Sequence, residues 1–145
     1  NAGNFVSVRA RVELTAITDP HTYSARKSRR QAAQAMRSQL GKSSPGELLC
    51  DGLGDSPRAD APEIIAWRDW TGPRVSLKRI LGEGLMAAAA WQCVAACDAV
   101  ANRGFAAANV SLVGSNQQAI GARFARAESS VSHFSAGGFS GNIRP

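Results

Sequence analysis

From Val6 to Leu14 the even positions are apolar and the odd ones polar, in the run NFVSVRARVELTAI. That alternation predicts a half-buried strand. TDPH at 18–21 predicts a turn, and Thr22 and Tyr23 a short second strand completing an antiparallel hairpin. The period then changes. Ser28, Ala32, Met36 and Leu40 recur every fourth residue, which predicts a helix capped by Ser24, running to about Leu40 and stopped by Gly41. A second helical period, through Leu77, Leu81, Leu85, Ala88, Trp91, Ala95 and Ala99, predicts a long alanine-rich helix from about Val75 to Arg103, ended by Gly104. FAAANVSLVG predicts one more strand and NQQAIGARFARAE a short basic helix.

Between these elements the composition shifts. Residues 42–62 are rich in Ser, Pro, Gly and Asp and read as a linker. EIIAWRDW at 63–70 places Trp67 and Trp70 at i, i+3, as in a short helix or a strap anchored on the core. From Ser129 the chain is Ser/Gly-rich, without a packing pattern. The expected organisation is α+β: 1–41 a hairpin plus basic helix, 42–62 a linker, 63–128 a mainly helical segment and 129–145 a flexible tail. The uncharged run between Glu83 and Asp98 falls short of the ~20 residues a membrane span needs.

Composition adds two constraints. In 145 residues, 44% are hydrophobic but only 6% aromatic. A core poor in large anchors is one that packs through small residues or finishes itself against neighbouring subunits. The net charge is +6, from 17 Lys+Arg against 11 Asp+Glu. Arginine dominates the cations, and its planar fork suits phosphate.

Arg26, Lys27, Arg29 and Arg30 crowd the start of the first predicted helix, with Arg37 further along. Positive charge is unfavourable there, because the helix already presents unpaired N–H groups and partial positive charge. An anion at that end would favour the arrangement. The stretch Ser24-Ala25-Arg26-Lys27-Ser28-Arg29-Arg30-Gln31-Ala32-Ala33, following a strand, a turn and a short strand, resembles the C-terminal half of a double-stranded RNA-binding domain. It departs from that family's pattern at Ala25 and Ser28. The resemblance implies phosphate contacts from Arg26 and Arg29, with Lys27 and Arg30 adding to them.

Other constellations offer less. Cys50, Cys93 and Cys97 form no CxxC, and His21 and His133 have no ligand at metal spacing, so neither metal nor cofactor is expected. GLGDSP lacks the lysine of a phosphate loop. FSAGGFSG has a glycine-flanked serine but no flanking strand and helix. Paired carboxylates would have to come from Asp51, Asp55, Asp60 and Glu63, all in a flexible-looking stretch that promises no held geometry.

The expected function is therefore non-enzymatic: a structural RNA-binding subunit of a ribonucleoprotein particle such as a ribosome. Its partners would be an RNA backbone and neighbouring proteins, with no small-molecule substrate. The alternative is an assembly component of a virion, phage or secretion apparatus. The odd cysteine count points to an intracellular setting, and a chain opening on Asn1 fits an organelle such as the mitochondrion after removal of a transit peptide.

Overall fold

The computed structural model describes residues 11–24, 28–42, 44–84, 87–114 and 116–127. The elements run β1 (Val12–Ile17), β2 (His21–Thr22), α1 (Arg29–Gln39), β3 (Glu47–Asp51), α2 (Pro57–Ala66), β4 (Arg74–Ser76), α3 (Leu77–Leu81), α4 (Ala87–Asn102), β5 (Ala107–Val113) and β6 (Gln118–Arg126). Helices and a mixed six-stranded sheet make the chain α+β. No helix among the described residues is long and apolar enough to cross a membrane.

The sheet order is β1-β6-β5-β3-β4. β3 runs parallel to both β4 and β5, whereas β6 is antiparallel to β5 and to β1. β2 also pairs with β6, His21 opposite Ala119. The two N-terminal strands therefore both lie along β6 instead of pairing with each other. The reason is β6, whose nine residues leave room for both.

Alternation along the strands divides the core between two faces. Leu49, Val113 and Ala119 face α1 and α2, where Ala32, Ala33, Met36, Trp67 and Trp70 complete one cluster. Leu48, Cys50, Ala108 and Val110 face Ala96, Ala99 and Val100 of α4. Close approach of α1 needs Gly121 on β6. A Cβ there would stand 2.7 Å from Leu40 Cδ1 and 2.9 Å from Met36 Sδ.

Four sequence expectations are corrected here. Residues 42–62 are not a linker: they hold β3, buried at all five positions, and open α2. A strand buried on both faces shows a short apolar run and no alternation, and Leu48-Leu49-Cys50 was too short to stand out among turn-forming neighbours. Segment 63–128 is not mainly helical, since β4, β5 and β6 lie in it. The predicted basic helix near its end is β6, where Ala119 faces one core cluster and Ala122 and Phe124 the other. The predicted helix at 75–103 is three elements, because Gly82 adopts φ +81° after α3 and turns the chain away. The tail from 129 and the first ten residues lie outside the described residues.

Candidate functional site at the carboxyl ends of β3 and β5

From β3 the chain passes through α2 to β4 on one side, then through α3 and α4 to β5 on the other. The carboxyl ends of β3 and β5 thus flank a point where the chain direction reverses, the crevice in which open α/β sheets bind ligands. A cavity of about 350 Å³ opens there. Ala88, Ala89, Leu112 and Ile120 form its apolar wall, while Gly52, Lys78, Glu83 and Asn116 bring polar groups to it.

The turn after β3 is held from below by α2. Ser56 caps that helix through Ala59 N–H, and Pro57 sits in its first turn, where a missing donor costs nothing. α2 then directs two carboxylates at the turn. Glu63 Oε1 accepts from Gly52 N at 3.0 Å, and Asp60 accepts from Gly54 N at 3.1 Å and Asp55 N at 3.3 Å. Ser111 Oγ donates to Glu63 Oε1 at 2.5 Å and accepts from Trp67 Nε1 at 2.9 Å. At the end of β3, Asp51 Oδ1 accepts from Ser76 Oγ at 2.5 Å and Leu53 N at 3.2 Å, while Oδ2 lies 3.5 Å from Arg74 Nε.

Burial raises the Glu63 carboxyl to about 7; hydrogen bonds from Ser111 and Gly52 oppose the rise, and repulsion from Asp51 and Asp60 adds to it. Burial also raises Asp51, against hydrogen bonds from Ser76 and Leu53. Glu63 therefore keeps a proton in the folded chain that the unfolded chain releases near its ordinary 4.5. Its contribution to stability is full below about pH 4.5, declines as pH rises toward 7, and is constant above; the loss is about 3 kcal/mol. Urea unfolding across pH 4.5–8 should show that decline, and Glu63→Gln should flatten it. An equal slope in the variant would exclude Glu63 as its source.

Lys78 reaches the cavity from α3. Its Nζ lies 2.9 Å from Asp55 Oδ1 and 2.8 Å from Glu83 Oε2. Burial lowers its pKa, but the bonds to Glu83 and Asp55 outweigh that and leave it raised, so the ammonium stays charged. None of the described cysteines lines the cavity. Cys50 packs toward α4, with its thiol pushed up to about 12 by burial and by Asp51, and burial raises Cys93 and Cys97 as well. No group of His, Cys, Asp and Glu among the described residues could hold a metal ion.

The basic residues singled out in the sequence are placed differently. Arg26 and Lys27 lie outside the described residues. The cap of α1 is Ser28, which accepts from Gln31 N, so the helix starts four residues later than predicted. Arg29 donates to Val113 O at 2.6 Å and stands over the Tyr23 ring at 5.4 Å, while Tyr23 OH donates to Gly114 O. Arg29 thus ties the start of α1 to the end of β5, at the rim of the cavity. Arg30 is exposed. Arg37 lies in the last turn, where the helix dipole favours a cation, and covers Trp67 at 4.3 Å while pairing with Asp69. Among the described cations, Arg29 and Arg37 are turned to different partners and share no anion site. The residues that do converge, Asp51, Asp55, Asp60 and Glu63, were visible in the sequence as carboxylates around a Gly-x-Gly turn; what was missing was the strand before them and the helix after them.

No family model matches the chain, and no curated protein matches it. Six chains of solved structures do. One belongs to the AntDE:AntF complex, described as a type II PKS acyl-carrier protein in complex with its ketosynthase bound to the hexaketide. The similarity has a TM-score of 0.64 at 10% sequence identity and covers 80% of this chain. This chain spans about a third, 33%, of the solved chain it matches. At that identity the likeness carries the fold alone. The expected ribonucleoprotein subunit is corrected by this finding, since the matched fold comes from a polyketide synthase complex and not from an RNA-binding particle, and an RNA partner is left without support.

Proposed function

We propose that this chain is part of a ketosynthase-like protein of polyketide-type chain assembly, and that its cavity binds an acyl chain. The observation that carries the reading is the cavity's place, at the carboxyl ends of β3 and β5 where the chain direction reverses. Its size falls at the lower end of small-ligand sites, and its balance of apolar wall and few polar groups is typical of them. The fold likeness to a chain of a complex whose ketosynthase holds a hexaketide supplies the ligand class.

On this reading the described part contributes binding and not catalysis. An acyl group is transferred through a nucleophile, and Cys50, with its thiol at about 12, offers almost no thiolate at neutral pH. The work is done beside a protein partner, in keeping with the solved complex.

The test is an NMR titration of the chain with a soluble β-ketoacyl thioester. Saturable shifts at Lys78, Ala88, Leu112 and Ile120 are expected, and Ala88→Leu, which fills the cavity, should abolish them while the rest of the spectrum is kept. Shifts absent from these residues, or unaffected by Ala88→Leu, would remove the proposal.

A further inference from the structure

Lys78 is the one cation among the described residues that line the cavity, and it is outnumbered. Its ammonium meets Asp55 Oδ1 at 2.9 Å and Glu83 Oε2 at 2.8 Å, so two carboxylates surround one positive charge. Neither carboxylate is loose. Asp55 is fixed at its own backbone, where its N–H donates to Asp60 Oδ1 at 3.3 Å, and Glu83 has a further interaction besides Lys78. Other cations around the turn face elsewhere: Arg74 is turned to Asp51, Arg29 to the Val113 carbonyl, and Arg79 is exposed. The site therefore carries an excess of negative charge, yet its ammonium still has a donor to give. An ammonium has three N–H groups. Two meet Asp55 and Glu83, and the third has no acceptor among the described residues.

We propose that Lys78 gives this third N–H to a neutral carbonyl oxygen of the acyl ligand, and that Asp55 and Glu83 make the cavity reject acyl chains that end in a carboxylate. This rests on the acyl-binding reading above and names the ligand class within it, the esterified acyl group and not the free acid. The physical reason is the charge count. A ligand carboxylate would be a third anion around one ammonium, and the Lys78 side chain is only 15% exposed, so water screens the repulsion poorly. A carbonyl oxygen adds an acceptor without adding charge. Lys78 then keeps both carboxylates and completes its hydrogen bonding. The apolar part of the ligand lies along Ala88, Ala89, Leu112 and Ile120. No covalent bond is made or broken in this step.

The probes are the β-ketoacyl thioester, labelled with carbon-13 at both carbonyls, and octanoate, titrated by NMR into the full 145-residue chain and into two variants. The wild-type chain should bind the thioester with one carbonyl carbon moved downfield, as a hydrogen bond from an ammonium requires. Octanoate should bind at least roughly fivefold more weakly, the worth of one part-exposed charge pair. Lys78→Met should remove the carbonyl shift. Asp55→Asn keeps the lysine and removes one anion, so octanoate should tighten up to roughly fivefold while the thioester is unchanged. This second variant keeps the side-chain shape, so the test does not depend on the lysine variant folding.

Octanoate binding as well as the thioester, a carbonyl shift unmoved by Lys78→Met, or octanoate affinity unmoved by Asp55→Asn would each overturn the carbonyl anchor and leave the acyl cavity standing. If the thioester itself does not bind, the acyl reading falls and this inference falls with it.

Discussion

Arg123→Met is expected to destabilise the chain by about 3 kcal/mol. The arginine rises from β6 and grips Glu47 at the start of β3 with both arms, Nη1 to Oε2 at 2.7 Å and Nη2 to Oε1 at 2.8 Å. Asn109 on the strand between them adds a donor to Glu47 Oε2 at 2.9 Å. Glu47 is 2% exposed. Burial alone would raise its carboxyl, and the bonds from Arg123 and Asn109 more than reverse this and hold it below its ordinary value.

Removing Arg123 strands a carboxylate in the sheet, and the cost is chiefly that of the uncompensated charge. The figure is set at the low end of such losses because the arginine side chain is itself 25% exposed. Urea unfolding at pH 7 measures it. The double variant Glu47→Gln, Arg123→Met should recover much of the loss, since no charge is then left behind. A single variant within about 0.5 kcal/mol of wild type would mean that the pair contributes little.

Trp67→Ala should cost more, about 3–5 kcal/mol. Trp67 is 1% exposed and sits at the end of α2 under the sheet. It meets Trp70 edge-on with ring centres 5.6 Å apart, and the Arg37 guanidinium covers it. In a chain with so few aromatics, the cavity left by one tryptophan has no neighbour large enough to fill it. The variant should lower the unfolding midpoint by roughly 10 °C for a domain of this size. It should also disturb the candidate site, because the indole N–H is the donor that orients Ser111 toward Glu63. Trp67→Phe shifts the balance between the two effects: it keeps part of the packing and loses the indole hydrogen bond entirely. If Trp67→Ala shifted the midpoint by only a degree or two, the first core cluster would not be the main source of stability.

The residues that carry these predictions were legible to different degrees. The fourfold spacing of Ala32, Met36 and Leu40 and the apolar run at 107–113 form the helix and the strand expected of them, whereas of the alternation from Val6 to Leu14 only Val12–Leu14 is described, inside a strand on which Leu14 is exposed. β3 did not announce itself, because a strand covered on both faces has no alternation to read. The split of the helix expected at 75–103 turned on the backbone of Gly82 and not on hydrophobic spacing.

The charges were misread for a related reason. Arg29 and Arg37 look like a free basic face in one dimension, whereas in the fold Arg29 is bound to the carbonyl of a strand 84 residues away and Arg37 to Asp69. By itself the sequence determined which stretches had the hydrophobic spacing of strand or helix, the shortage of large core residues, and the carboxylates around one Gly-x-Gly turn. Only the tertiary structure decided that β3 lies between β4 and β5, that α2 turns Asp60 and Glu63 onto that turn, and that Lys78 meets Asp55 and Glu83 beside a cavity. Periodicity is a property of neighbours along the chain, but a site assembled from three strand ends depends on pairings that no local pattern encodes.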